Sequence, residues 1–114
     1  MTQAVSGYVE NRRYRRYAVG LPCTVRPKGK AAGPHPDLQT KTIDVSRGGL
    51  LFSAQTGFEV GATIECLLEL PIHSIRNHIV TIRCLGRVVR VGALDGGTVG
   101  VGATIDTFEF VNPV

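Results

Sequence analysis

The sequence predicts an all-β protein: a six-stranded antiparallel β-barrel with a flexible N-terminal segment and little or no C-terminal helix. Its strand-like runs are short and are separated by glycine-containing turns. No stretch keeps a 3.6-residue apolar period, so there is no candidate crossover helix. A small sandwich fits the same pattern, but barrel closure would also protect such apolar strands from edge-to-edge pairing.

Length and composition are typical of one globular domain. The chain has 114 residues, of which 43% are hydrophobic and 19% charged, with a formal net charge of +4. No apolar run approaches the roughly 18 residues of a membrane helix, and the polar start from Met1 to Gly7 has no signal-peptide core. We therefore expect a cytoplasmic protein.

Six strands follow from alternation of apolar and polar residues. In chain order they are predicted at Ala18–Arg26, Leu38–Ser46, Leu50–Ala54, Thr63–Pro71, His78–Val91 and Val99–Ile105. Gly48-Gly49 forms the tight turn after the second strand, and Asp95-Gly96 forms a hairpin turn before the last one. The remainder, Phe108 to Val114, is too short for more than a turn of helix.

The first two strands each have a distinct apolar face. In the first, Val19 lies in phase with Leu21, Cys23 and Val25, and Pro22 is expected at a sheet edge or a bulge because it has no N–H. In the second, Ile43 and Val45 are predicted to face the core. Thr42, Asp44 and Ser46 are then expected on the opposite face.

The later strands predict further details of the barrel. Along the fourth, Ile64, Cys66, Leu68 and Leu70 are expected inside and the acidic pair Glu65 and Glu69 outside. The fifth is too long for one flat strand, and its apolar phase slips from Val80, Ile82 and Cys84 to Val89 and Val91. We place a bulge at Gly86, between the two phases. Along the last, Gly100 and Gly102 leave an unusually flat outer face, which another strand or loop is expected to cover.

No metal site is expected. The three cysteines, Cys23, Cys66 and Cys84, are widely spaced and lie in phase with apolar neighbours, so they are predicted to be small core residues. The three histidines have no ligand spacing and are expected to face solvent. They are His35, His73 and His78.

A cluster of arginines precedes the first strand. Four arginines lie within the five consecutive positions 12–16: Arg12, Arg13, Arg15 and Arg16. Like charges this close repel one another, and guanidinium groups pair bidentately with phosphate or a guanine edge. A frayed basic tail is the alternative, but the pattern favours an element that binds a compact anion.

The end of the second strand carries a second polar motif. Asp44 and Ser46 share one face, and Gly48-Gly49 follows them. These residue types also favour an ordinary strand end and turn. A carboxylate and a hydroxyl could, however, accept hydrogen bonds from the N1–H and N2–H₂ groups of a guanine. Glycine would let the backbone come close or adopt a positive φ.

Together the two motifs resemble the signature of the PilZ domain family. They read RxxxR at Arg12 and Arg16, then DxSxxG at Asp44, Ser46 and Gly49. The resemblance extends over about residues 10 to 108, through the runs TIECLLELP, GRVVRV and VGVGATI. It implies a six-stranded barrel that binds cyclic di-GMP, a bacterial second messenger, and converts binding into a conformational signal.

The resemblance also assigns roles to residues. Arg12 and Arg16 would grip guanine edges and phosphates, Asp44 and Ser46 would hold a guanine, and Gly49 would permit the turn that presents them. Candidates for additional ligand contacts are Arg13, Arg15, Arg47 and Gly48. The three arginines are not motif positions, and surface solvation is the alternative for at least one of them. No metal and no cofactor other than the ligand is implied, and the protein partner would be contacted in trans.

The domain boundaries follow from the same resemblance. We expect a flexible segment at residues 1–11, one PilZ-like barrel domain including the RxxxR segment at 12–110, and a tail at 111–114. The residue before the first motif arginine is Asn11, which leaves one or two bound ligand copies open.

Three other functions compete with this one. An enzyme is not expected, since Ser46 has no suitably spaced histidine and there is no phosphate loop or metal cluster. A single-stranded nucleic-acid-binding barrel could use the arginines with Tyr8, Tyr14 and Tyr17, although Asp44 would repel a phosphate backbone. The third alternative is a ligand-free protein-interaction adaptor. The presence of both complete motifs argues against it.

Overall fold

The computed structural model describes residues 15–28, 37–55, 58–72 and 78–111 of the chain. They form seven strands, β1 Pro22–Pro27, β2 Leu38–Ser46, β3 Gly49–Ala54, β4 Thr63–Ile72, β5 His78–Ala93, β6 Val99–Thr104 and β7 Thr107–Val111, with one 3₁₀ turn at Asp95–Gly97. Every pairing is antiparallel. Six strands close a barrel in the order β4-β1-β2-β3-β6-β5, and β5 returns to β4. The predicted fold class is therefore confirmed.

The barrel closes because β5 belongs to both halves of the sheet. Its first part pairs with β4 and its last part with β6. At the crossover, a Cβ on Gly86 would lie 1.7 Å from the carbonyl oxygen of Thr104, so only glycine fits there. The register shift falls between Val88 and Arg90, so the prediction of a bulge at Gly86 was wrong by a few residues. Val89, predicted to face inward, is 50% exposed for that reason.

One apolar cluster fills the barrel. Its largest fully buried side chains are Phe52, Ile64, Val25, Val88 and Val101. The three cysteines lie in this cluster as free thiols, as predicted. Burial raises the pKa of the Cys84 thiol to about 11, and a hydrogen bond with Cys23, together with burial, raises the pKa of Cys66. Thiols with raised pKa values stay protonated and are poor nucleophiles, so Cys66 and Cys84 are structural.

A bulge changes the facing of residues in the middle of β2. The register shifts between Thr42 and Asp44, with Thr42 opposite Phe52 and Val45 opposite Leu50. Thr42 is consequently buried and Ile43 is 38% exposed, so the prediction that Ile43 faces the core was wrong. An extra residue in one strand moves the following side chains to the other face, and the sequence pattern alone did not show where it lies.

The ends of the barrel also differ from the sequence prediction. The first strand begins at Pro22 rather than Ala18, and Val19 is 38% exposed. Pro22 is the first residue of its strand, a position that suits a residue without an N–H. The segment Thr107–Val111, where at most a turn of helix was predicted, is strand β7, paired with the first part of β5.

Some predictions fall outside the described residues. These concern the side chains of the three histidines and the flexible segment expected at residues 1–11. Within the described ranges, no helix has the length and apolar character needed to cross a membrane.

Candidate ligand-binding site

The β2–β3 hairpin carries the second polar motif on the outside of the barrel. Asp44 lies opposite Leu51 and Ser46 opposite Gly49, so the two polar side chains share the outer face. A two-residue turn, Arg47-Gly48, joins the strands. The Ser46 hydroxyl accepts a hydrogen bond from the Gly48 N–H at 3.2 Å and donates to the Gly49 carbonyl at 3.3 Å. Ser46 therefore shapes the turn, and one acceptor lone pair remains for a ligand.

Gly49 has a packing requirement as well as a place in the motif. A Cβ at this position would lie 2.8 Å from the carbonyl oxygen of Ala103 on β6, closer than side chains approach backbone. Its φ is not among the positive values, which occur at Gly61, Gly96 and Gly97. Gly49 is thus required for close approach of β3 to β6 and not for a left-handed turn.

The chain before β1 is attached to β2 by hydrogen bonds. We call residues 17–21 the strap. Tyr17 and Val45 exchange two backbone hydrogen bonds, with N···O distances of 2.8 Å and 2.9 Å. At the other end of the strap, the Thr42 N–H donates to the Leu21 carbonyl at 3.0 Å. The strap therefore places Arg16, the residue just before it, beside the outer face of β2.

Arg16 and Asp44 lie close without forming a hydrogen bond. Arg16 Nη2 is 3.9 Å from Asp44 Oδ1, and the two side chains are 43% and 25% exposed. That oxygen of Asp44 is itself buried and has no hydrogen-bond partner among the described residues. A buried carboxylate oxygen without a hydrogen-bond donor is energetically costly. Asp44 Oδ1 is such an acceptor, and it lies next to Arg16.

Two residues that the sequence pattern did not single out, Leu51 and Arg90, continue the site across the sheet together with Gly102. The strand registers place Asp44, Leu51, Gly102 and Arg90 in one row on neighbouring strands. The Arg90 side chain lies over Gly102, with its Nε 3.5 Å from where a Cβ would be. The row spans three strand spacings, about 14 Å. It presents a carboxylate at one end, an apolar and glycine floor, and a guanidinium at the other end.

The flat strip along β6 is covered by side chains of the neighbouring β5 region. Arg90 covers Gly102, and Leu94 lies 3.3 Å from a Cβ placed on Gly100. The expectation that another strand or loop packs there is therefore replaced by two single side chains. The row from Asp44 to Arg90 depends on the strand registers, which shift at the bulges in β2 and β5. The sequence pattern did not show where these bulges lie, so it did not predict the row.

The structure brings together one part of the predicted site. Arg16, Asp44, Ser46 and Gly49 lie around the start of the strap and the β2–β3 turn. Arg47 and Gly48 form that turn, and Arg15 is exposed next to Arg16. Arg12 and Arg13 lie outside the described residues, so their predicted roles remain predictions.

A second charged cluster lies on the outside of β4. Glu65 lies outside the barrel as predicted, but it is only 6% exposed. Its carboxylate lies 3.6 Å from Arg26 Nη1, 3.8 Å from Lys28 Nζ and 3.7 Å from Arg83 Nε. The sequence did not show this burial because the cations come from two distant regions, around the end of β1 (Arg26, Lys28) and in β5 (Arg83), and their long side chains cover the carboxylate.

The outer members of this cluster are paired in turn. Asp37 accepts a hydrogen bond from Arg26 at 2.9 Å, and Glu109 accepts one from Arg83. These two hydrogen bonds are the main cause of the raised pKa of each arginine. A cleft of about 270 Å³ opens beside the cluster, lined by Lys28, Glu65, Arg83, Leu85, Thr107, Phe108 and Glu109. Each of these charged side chains lies within 4 Å of an opposite charge in the described chain. No part of the described chain assembles three or more potential metal ligands.

Comparison with known proteins gives two results. The family model described as the PilZ domain matches residues 10–112, nearly the whole chain. Among solved structures, the chain is similar to the inhibitor of motility MotI/DgrA of Bacillus subtilis, with a TM-score of 0.68 and 17% sequence identity. The match covers 86% of this chain and 44% of that protein, so the chain spans less than half of its length. A search of curated protein sequences returns no match.

Proposed function

This chain belongs to the PilZ domain family, and we propose that it is a receptor for cyclic di-GMP that acts on a partner protein in trans. A receptor needs a ligand site and a part of the molecule that changes when the site fills. In this chain, both would lie at the Asp44 face of the barrel.

The proposal rests mainly on Asp44 Oδ1, which lies 3.9 Å from Arg16 Nη2 and makes no hydrogen bond in the described chain. Guanine has two adjacent donors, N1–H and N2–H₂, and a carboxylate is the acceptor that suits them. Asp44 Oδ1 has no hydrogen bond within the described chain, so a guanine would supply the missing donor. The remaining lone pair of the Ser46 hydroxyl would accept from the same base.

The arginines would hold the anionic part of the ligand. Arg16 is already beside Asp44, and Arg12 lies four residues before it in the sequence. Arg13, Arg15 and Arg47 would add charge around the phosphates. At the far end of the row, the Arg90 guanidinium would offer a flat surface on which a base can stack.

The conformational signal would come from the residues before Arg15. The strap is attached to β2 by hydrogen bonds within the chain, so its attachment does not require contacts with a ligand. Four arginines in five positions repel one another, and a ligand with two phosphates would remove that repulsion while bridging to Asp44 and Ser46. Ordering of this segment over the barrel would create the surface that a partner protein recognises.

The test is calorimetric titration with cyclic di-GMP, with GMP and a short single-stranded oligonucleotide as controls. We expect cyclic di-GMP to bind at micromolar affinity or better, and GMP much more weakly because it carries one base and one phosphate. Oligonucleotide binding tighter than cyclic di-GMP binding would favour the nucleic-acid alternative. Absence of binding by all three would favour a ligand-free adaptor and would overturn the proposal.

A further inference from the structure

The strap is held at its C-terminal end by a side chain as well as by the backbone. The Leu21 N–H donates to Thr42 Oγ1 at 2.9 Å, and the same oxygen donates to the Val19 carbonyl at 2.6 Å. The backbone N–H of Thr42 also donates to the Leu21 carbonyl. One residue of β2 thus makes three hydrogen bonds to two residues of the strap.

The hydroxyl of Thr42 has no other evident use. Thr42 is 4% exposed and lies opposite Phe52, on a face where the neighbouring inward positions are apolar. A buried hydroxyl is costly unless it is hydrogen-bonded. Both hydrogen bonds of Thr42 Oγ1 go to the strap, as acceptor and as donor, and valine would fill the same volume without them.

The two attachments of the strap lie on either side of Asp44. Thr42 holds Val19 and Leu21, and Val45 holds Tyr17. Between these points β2 has its bulge, so a regular backbone ladder cannot continue there. The Thr42 hydroxyl takes the place of a missing backbone partner, and it thereby fixes the path of the chain that leads to Arg16.

We propose that Thr42 is a positioning residue. By holding the strap as a clamp, it places Arg16 beside Asp44. The inference rests on the proposed function only for the ligand that reports it. Thr42 would not touch the ligand. It would raise affinity by keeping Arg16 within reach of Asp44 before the ligand arrives, so that less ordering is needed on binding.

The first test compares three variants in titrations with cyclic di-GMP. Thr42→Val should weaken binding about tenfold, because a donor and an acceptor of the strap lose their partner. Thr42→Ser keeps the hydroxyl and should bind within about twofold of wild type. Thr40→Val is the matched control, since Thr40 Oγ1 donates to the Ser53 carbonyl at 2.7 Å on the same strand but does not hold the strap. Wild-type affinity in folded Thr42→Val would overturn the inference, as would equal losses in Thr40→Val.

The second test asks whether Thr42 acts through Arg16. In an Arg16→Ala background, Thr42→Val should change affinity by no more than about twofold, because the group it positions is gone. A loss as large as in the wild-type background would mean that Thr42 only supports the barrel. If Thr42→Val does not fold, Thr42→Ala serves for the same cycle.

The third test needs no ligand and separates the two proposals. Amide exchange at Leu21 and Tyr17 should increase about tenfold or more in Thr42→Val, while amides of β3 remain protected. Unchanged exchange would overturn the clamp whether or not the ligand binds. If exchange rises but wild type does not bind cyclic di-GMP, the proposed function fails and the clamp stands.

Discussion

Two acidic side chains on the outside of the barrel, Asp44 and Glu65, have opposite surroundings. Glu65 is nearly covered, with three cations within 3.8 Å of its carboxylate. Asp44 has one guanidinium at 3.9 Å and a buried oxygen without a hydrogen bond in the described chain. Within the described residues, Glu65 is surrounded by cations, whereas Asp44 has one guanidinium nearby and an oxygen that makes no hydrogen bond. We expect a difference of this kind to distinguish a structural carboxylate from one that contacts a ligand.

The largest effect is expected from Asp44→Ala. Cyclic di-GMP affinity should fall about a hundredfold, because a buried charge-assisted contact to guanine is lost. The free energy of unfolding should stay within about 0.5 kcal/mol of wild type or increase, since Asp44 Oδ1 makes no hydrogen bond in the described chain that could be lost. Titration and urea unfolding measure the two quantities.

The control ligand is an oligonucleotide. Removing a carboxylate from a surface that follows a phosphate backbone should leave oligonucleotide affinity unchanged or slightly higher. Equal losses for both ligands would mean that Asp44 does not recognise guanine.

Arg16→Ala should produce the next largest effect. Loss of one charge-assisted contact is expected to weaken cyclic di-GMP binding about ten- to a hundredfold, as measured by calorimetry. Lys41→Ala removes an exposed cation from β2, the strand that carries Asp44, and is the control for general loss of charge. Affinity equal to wild type in folded Arg16→Ala, or an equal loss in both variants, would contradict the assigned role.

Glu65→Ala should show the reverse pattern. Cyclic di-GMP affinity is expected to stay near that of wild type, while the free energy of unfolding falls by about 1–2 kcal/mol because clustered cations lose their shared partner. Glu69→Ala removes an exposed carboxylate from the same face of β4 and should cost less than about 0.5 kcal/mol. Urea unfolding of the two variants gives the comparison. If Glu65→Ala abolished binding, the contrast between the two faces would be false.

The smallest effect is expected at the far end of the Asp44 row. Arg90→Ala should weaken cyclic di-GMP binding about threefold, because a stacking surface over Gly102 is lost while the guanine acceptor remains. Arg87→Ala, on the same strand but with its guanidinium beside Asp106, is the control. A loss in Arg90→Ala as large as in Asp44→Ala would place the main ligand contact at the wrong end of the row.

The sequence predicted the barrel and the outer-face position of Asp44 and Ser46, because alternation along a strand depends on local residue types. It did not predict that Thr42 is buried and Ile43 exposed, since a bulge changes facing without changing composition. It did not predict the burial of Glu65 either, as its cations come from distant strands.

Proximity of Arg16 to Asp44 depends on the strap. Its path is fixed by hydrogen bonds between residues more than 20 positions apart, and no local pattern encodes them. The motif spacing suggested that the two residues share a site, while the structure supplies the means by which they meet.

The shared strand β5 has a consequence for how the chain folds. Among the six barrel strands, β2 pairs locally with β1 and β3, but β3 must also pair with β6 and β1 with β4, so closure requires contacts across much of the sequence. Such non-local pairing carries a loop-closure cost before it contributes stability, which makes folding slow for a chain of this size. β5 pairs with β4, β6 and β7. The rate of barrel closure should therefore depend more on β5 than on any other strand.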